Sequence, residues 1–245
     1  MIFDGVVALD EYRLPERFEP DHVVVDVGAH IGSFAYAVFL RGGKHVWSIE
    51  PDRTNCAFAA EHLSPYVDRG FVRLMHAAVW RSDPNDDELR FDGYQAFPPA
   101  WPGMEGILNT GGGSVVWGFG EPVAKIAFDD VVDLATNRGE RRVRLLKLDC
   151  EGAEWPILLT SRRLHLIDAI VGEFHEFGGP FPEIGENRPP NAHVFQSDRV
   201  AAFTIEELVR FLRDAAFGVT YDRHVRPGGA LEGLGYFFAT REQGT

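Results

Sequence analysis

Val23-Val24-Val25-Asp26-Val27-Gly28-Ala29-His30-Ile31-Gly32 is the stretch whose reading decides the fold. An apolar run carrying one acid reads as a buried parallel strand, and Gly28 then breaks it into a tight turn that opens a helix at Gly32. Glycine suits such a turn because its backbone reaches positive φ and can approach a ligand closely. The helix N-terminus that follows turns its free amides toward whatever binds. About twenty residues on, His45-Val46-Trp47-Ser48-Ile49-Glu50 is a second apolar strand ending in an acid, and a carboxylate at that distance suits the two hydroxyls of a ribose. These two strands together predict an adenosine-containing ligand.

Outward from this stretch, short apolar runs alternate with helical patterns, which predicts a parallel sheet with helices on both faces. Helices are expected from about Ser33 to Leu40 and Arg53 to Leu63, and a third strand from Val72 to Ala78. Residues 83–123 break the rhythm with many Gly, Pro and Asp, although Glu88 to Phe91 and Ser114 to Trp117 alternate like antiparallel edge strands. Regularity returns with an aspartate-led helix at Phe128 to Val132, a strand Val143 to Leu148, a helix Ala153 to Ser161 and a strand Ile167 to Phe174. Pro156 is tolerable there only in the first helical turn. After a second Gly/Pro-rich stretch, 178–198, Thr204 opens a helix to Ala216 with the pattern of a capping box. Strands Val219 to His224 and Gly235 to Thr240 close a single domain spanning 1–245.

The 245 residues are ample for one large α/β core, and the net charge of −13 disfavours nucleic acid and anionic membranes as partners. The small basic cluster Arg138 to Arg144 reads as a solvated loop. There is no apolar stretch of membrane-spanning length and no signal-peptide pattern at Met1 to Gly5, and Cys56 and Cys150 are too few for a disulfide framework. A cytoplasmic protein is expected, with both cysteines as small packing residues.

Four acids, Asp26, Glu50, Asp149 and Glu173, each end an apolar run. That is the edge at which open parallel sheets bind ligands. Lys147, inside an apolar strand, needs a partner, and strand alternation turns it to the same face as Asp149. An ion pair bracing the strand ends is the simpler reading for it. His175 in Glu173-Phe174-His175-Glu176 is the first candidate for a general base, with Asp149 second. Asp149, Glu173 and His175 could together hold a divalent cation, but nothing in their spacing demands it, and no metal is expected. His30 is expected beside the ligand or as a cap. The first turn lacks a full G-x-G-x-x-G, and its Asp26 would repel a pyrophosphate but attract the α-amino group of S-adenosylmethionine. That favours a methyltransferase over a nicotinamide-dependent oxidoreductase. A non-catalytic module that binds S-adenosylmethionine is the alternative of another class.

The chain resembles the FkbM family of S-adenosylmethionine-dependent methyltransferases. The resemblance rests on Val25 to Gly32, on Ile49-Glu50-Pro51-Asp52 with Asn55, on Phe128-Asp129-Asp130, and on Leu146-Lys147-Leu148-Asp149-Cys150-Glu151-Gly152-Ala153-Glu154, in that order. Glu173-Phe174-His175 is similar to the family's acidic-histidine strand end. The resemblance implies a Rossmann-like class I methyltransferase fold, with a seven-stranded, mostly parallel sheet whose last strand is reversed. It implies O-methylation of a small-molecule hydroxyl, on a sugar, glycolipid or natural product. S-adenosylmethionine would meet Asp26, Gly28, Ala29, His30, Gly32, Glu50, Pro51, Asp52, Ala77, Ala78 and Asp149, with His76 also near the adenine. The acceptor would meet Glu151, Glu173, His175 and Phe177.

Residues 83–123 and 178–198 carry little of the family pattern, so acceptor specificity is expected there. Their aromatics Tyr94, Phe97, Trp101, Phe181 and Phe195, with Phe177, predict pocket walls or a lid. A homodimer interface is the competing expectation.

Overall fold

The computed structural model describes residues 3–93, 95–96, 108–116, 118, 120–177, 197–225 and 231–242. Seven strands make one sheet: β1 (Val23–Val27), β2 (His45–Glu50), β3 (Val72–His76), β4 (Val143–Leu148), β5 (Ala169–His175), β6 (Phe217–Val225) and β7 (Leu231–Arg241). Their order is β6-β7-β5-β4-β1-β2-β3. Strands β1 to β5 pair in parallel, and β7 runs antiparallel to both β5 and β6. The chain steps outward from β1 to β3 and then returns to β4 on the other side. The order therefore reverses between β1 and β4, where such sheets open a crevice.

Period-two alternation splits the side chains of the sheet between two cores. Val23, Val25, Val27, Leu146 and Leu148 face helices α3 (Phe128–Thr136), α4 (Glu154–Thr160) and α5 (Ile205–Asp214). Val24, Leu145 and Val171 face helix α1 (Ser33–Leu40), Leu63 at the end of α2 (Arg53–His62), and the N-terminal segment through Val6, Tyr12 and Phe18. Because both faces are covered, β1 is buried at every position, which is why it reads as a nearly continuous apolar run.

Several expected boundaries shift. The third strand stops at His76, and Ala78–Trp80 instead pairs in parallel with Lys125–Ala127 in a separate two-stranded ladder. All three residues remain buried, so the hydrophobic run conceals the change of partner. Glu88 to Phe91 contributes only Arg90–Phe91, paired with Glu121–Pro122, and the described part of the expected strand from Ser114, residues 114–116, contributes a lone bridge from Ser114 to Asp92. Strand β5 begins two residues later than expected, with Ile167 as an isolated bridge, and extends through His175. Thr204 precedes α5, but its side chain makes no capping bond. The Ile205 amide donates to the buried carboxylate of Glu176, which also pairs with Arg223. A residue 29 positions upstream thus replaces the local capping box. No helix among the described residues is long and apolar enough to cross a membrane.

Candidate functional site

A cavity of about 800 Å³ opens at the carboxyl edge of β1, β2, β4 and β5, over the point where strand order reverses.

At one end stands Glu50, the last residue of β2 and 4% exposed. Its Oε2 accepts the His30 amide at 2.6 Å and its Oε1 accepts the Asp52 amide at 2.8 Å. Burial pushes its carboxyl up to about 7, against the pull of those two amides. Both oxygens keep a further lone pair for donors arriving from the cavity. The chain crosses above this end at Thr110, whose hydroxyl meets His30 Nε2 at 2.9 Å and whose carbonyl accepts from Asn55 Nδ2 at 3.0 Å. Thr110 to Gly113 and Phe91 complete the wall.

The turn after β1 is held by Lys147. Its Nζ donates to the carbonyls of Gly28 at 2.5 Å and Val27 at 3.3 Å, and lies 3.4 Å from Asp26 Oδ1 and 3.6 Å from Asp149 Oδ2. Asp26 is fully buried and also accepts from Ser48 at 3.2 Å. Lys147 is thus the brace of the two strand ends. Gly28 sits at φ 78°, and a Cβ there would stand 1.8 Å from the Asp149 carbonyl oxygen. Glycine is needed because β1 turns directly against the end of β4.

At the other end acids gather around one histidine. His175 Nδ1 lies 3.0 Å from Glu154 Oε1 and its Nε2 lies 3.1 Å from Glu151 Oε2. Burial alone would lower this imidazole, but the Glu154 and Glu151 carboxylates outweigh it and hold the ring well above its usual pKa. Glu173 is pushed well up, first by burial and then by the neighbouring Asp149. Asp149 has the opposite balance: burial would raise it, but Lys147 and the Tyr12 hydroxyl, which donates at 2.8 Å, keep it below the usual carboxylate range. Ligand atoms of Glu151, Glu173 and His175 lie within 4.8 Å of one another, close enough for a divalent cation. Both ring nitrogens of His175 are, however, already engaged by carboxylates, and an imidazolium has no lone pair to offer an ion.

Of the residues singled out in the sequence, the cavity brings together Gly28, Ala29, His30, Glu50, Pro51, Ala78, Asp149, Glu151, Glu173 and His175. Six others do not line it. Asp26 is turned to Lys147 and Ser48. Gly32 stands at the start of α1, where a Cβ would meet Leu63 at 2.7 Å. Asp52 caps α2 by accepting the Asn55 amide at 2.7 Å. Ala77 is buried with its amide on the Glu50 carbonyl. Phe177 lies in the core, where a Cβ on Gly152 would meet its ring at 2.4 Å. His76 is exposed and bonds the Pro51 carbonyl instead. Tyr94, Phe97, Trp101, Phe181 and Phe195 lie outside the described residues, as does most of 178–198.

Sequence reading missed the wall formed by Glu11, Tyr12, His224, Leu234 and Tyr236. Tyr12 packs edge-on against Phe34 and Tyr236, and Tyr236 donates to Glu11 at 3.1 Å. These residues come from the two ends of the chain, and no local motif marks them.

The family model described as the methyltransferase FkbM domain matches residues 26–219. No match is found among curated proteins. Solved structures similar in fold include a candidate rRNA methylase of Clostridium thermocellum, 10% identical, covering 97% of this chain and 96% of its own with a TM-score of 0.49. Another is the precorrin-6y C5,15-methyltransferase of Geobacter metallireducens, 13% identical, covering 96% and 85% with a TM-score of 0.43. The sheet order, the reversed β7 and the edge cavity make this a Rossmann-like class I methyltransferase fold. With the family match extending over most of its length, the chain belongs to the FkbM methyltransferase family.

Proposed function

We propose that the protein is an S-adenosylmethionine-dependent O-methyltransferase acting on a hydroxyl of a small molecule, such as a sugar, glycolipid or natural-product scaffold. The observation that carries this reading is the polarity of the cavity at the sheet edge. A carboxylate with open acceptor capacity, Glu50, stands at one end, and a carboxylate-bracketed histidine stands at the other.

The residues present fit the cofactor. Glu50 is buried and short of donors, and two ribose hydroxyls would supply them. Gly28, Ala29, His30, Pro51 and Ala78 would surround the nucleoside, and Asp149 would lie toward the methionine portion. Asp26 would act through Lys147, which keeps the turn against β4. When bound, S-adenosylmethionine supplies an electrophilic methyl carbon on a sulfonium, which the acceptor oxygen displaces with the electron pair passing to sulfur.

The chain's own contribution is alignment and removal of one proton. Asp149 is a weak base because Lys147 and Tyr12 already stabilise its ionised form. His175 is the better candidate. An acceptor hydroxyl that takes the place of Glu151 at Nε2 removes one of the two carboxylates holding the ring protonated. The Nε2 proton leaves with Glu151, and the neutral ring takes the hydroxyl proton as the carbon–oxygen bond forms. Glu11, Glu151 and Glu173 offer acceptors for the other hydroxyls of a polyol.

The test is direct. Calorimetric titration with S-adenosylhomocysteine should show binding while a nicotinamide dinucleotide shows none. Label from methyl-labelled S-adenosylmethionine should then pass to hydroxylated acceptors, and not to analogues whose hydroxyl is removed. Tight nicotinamide binding would overturn the cofactor, and transfer to nitrogen or carbon alone would overturn the acceptor chemistry.

A further inference from the structure

We infer that Glu154 is the positioning residue for His175, a buried carboxylate that fixes which ring nitrogen faces the acceptor. This rests on His175 acting as the base, but it can fail while that reading stands.

Glu154 is the last acid of the motif that begins at Lys147, and no local feature of the sequence assigns it a task. It is 0% exposed, in the first turn of α4. A carboxylate so placed needs a full set of donors. Its Oε2 accepts the Gly152 amide at 2.9 Å, and its Oε1 accepts the His175 amide at 2.8 Å as well as facing His175 Nδ1 at 3.0 Å. Both oxygens already accept from backbone amides, so Oε1 meets Nδ1 as an acceptor and Nδ1 carries the proton. Nε2 is then the nitrogen that can lose its proton, and it is the one turned to Glu151 on the cavity wall.

The arrangement is rigid at each step. Trp155, next to Glu154, donates from its indole nitrogen to the His175 carbonyl at 2.6 Å, tying α4 to the end of β5. His175 lies within the sheet, paired with Leu234 of β7. The intervening turn carries Glu151 at φ 53° and Gly152 at φ 98°. That path lets Glu151 project into the cavity while the Gly152 amide points back at Glu154. The other charged groups around the ring are Glu151, Glu173 and Asp149, with Lys147 behind Asp149.

Glu154→Gln separates this role from simple support, because it keeps size and shape but can accept on one side only. With the amide oxygen turned to His175, the Gly152 amide loses its acceptor and Nδ1 keeps its proton; with the oxygen on Gly152, the amide nitrogen opposes the His175 amide and forces Nδ1 to become the acceptor. The wrong tautomer then presents a proton to the acceptor, the defect that an orienting carboxylate prevents in hydrolase triads.

The experiment measures turnover against pH, S-adenosylhomocysteine affinity and melting temperature for wild type, Glu154→Gln and His175→Ala. Glu154→Gln is expected to lower kcat by about 10²-fold or more. The acid limb of its pH profile should move to lower pH, with cofactor affinity within about twofold of wild type. Turnover within about threefold with an unmoved acid limb, while His175→Ala is inactive, overturns the positioning role and leaves the base intact. If both variants turn over normally, the base reading itself has failed and this inference with it. A parallel loss of affinity and melting temperature with the acid limb unmoved would show a structural role and also overturn it. Should Glu154→Gln not fold, nitrogen NMR of wild-type His175 decides. Nδ1 must stay protonated while Nε2 titrates, and the reverse order overturns the proposal.

Discussion

Glu50 Oε2 accepts the His30 amide at 2.6 Å, so the end of β2 and the turn after β1 share one carboxylate. The same group faces the cavity, and so fold and ligand compete for its charge. Glu50→Ala should weaken S-adenosylmethionine binding by roughly 1.5–3 kcal/mol, the range for a hydrogen-bonded charged partner. Isothermal titration would register this, and unchanged affinity would remove Glu50 from the cofactor site.

The pH dependence of that binding follows. Burial raises the free Glu50 carboxyl to about 7. Hydroxyl donors prefer the ionised form, so binding lowers this pKa. Affinity should therefore strengthen as pH rises through about 7 and fall below it. Glu50→Gln should abolish this dependence, and titrations at several pH values would reveal a flat profile for the variant.

Gly28→Val should act on the fold before it acts on the ligand. The added Cβ meets the Asp149 carbonyl oxygen at 1.8 Å, a backbone atom at the end of β4 that cannot move aside cheaply. A large drop in melting temperature without any cofactor present is expected. A variant that melts like wild type yet binds nothing would place the glycine's role in the cavity instead.

Lys147→Met should destabilise by about 3–5 kcal/mol, because it leaves Asp26 buried without its cation. Adding Asp26→Asn should recover part of that loss. Urea unfolding of both variants measures the difference, and additive losses would show that the two residues do not depend on each other.

His175→Ala should lower turnover by about 10²–10⁴-fold with little change in cofactor affinity, as expected for loss of a general base. Single-turnover kinetics would separate chemistry from binding. Turnover close to wild type would reduce His175 to a residue that lines the pocket.

Residues 108–116 should gain hydrogen-exchange protection when S-adenosylhomocysteine binds, since Thr110 bonds His30 and Asn55 at the Glu50 end. Protection that instead follows protein concentration would favour an interface between copies.

The strands that carry Glu50 and Glu173, and the one that stops just before Asp149, were legible because burial on both sheet faces leaves a local record, an apolar run broken by an acid. The glycine turn was legible too, since positive φ limits which residue can stand there. From these the sequence by itself determined the sheet and the edge at which the cavity opens. Only the tertiary structure decided the partners. Asp26 and Asp52 look like cofactor acids in the chain, yet one meets Lys147 across the sheet and the other caps α2. Tyr12 reaches Asp149 across 137 residues, Glu176 leaves its strand to hold α5, and Glu154 meets His175 across 21. Strand alternation tells which face a side chain takes, but not what waits there. That depends on register and on helices packed from distant segments, for which no short stretch of sequence carries a local signal.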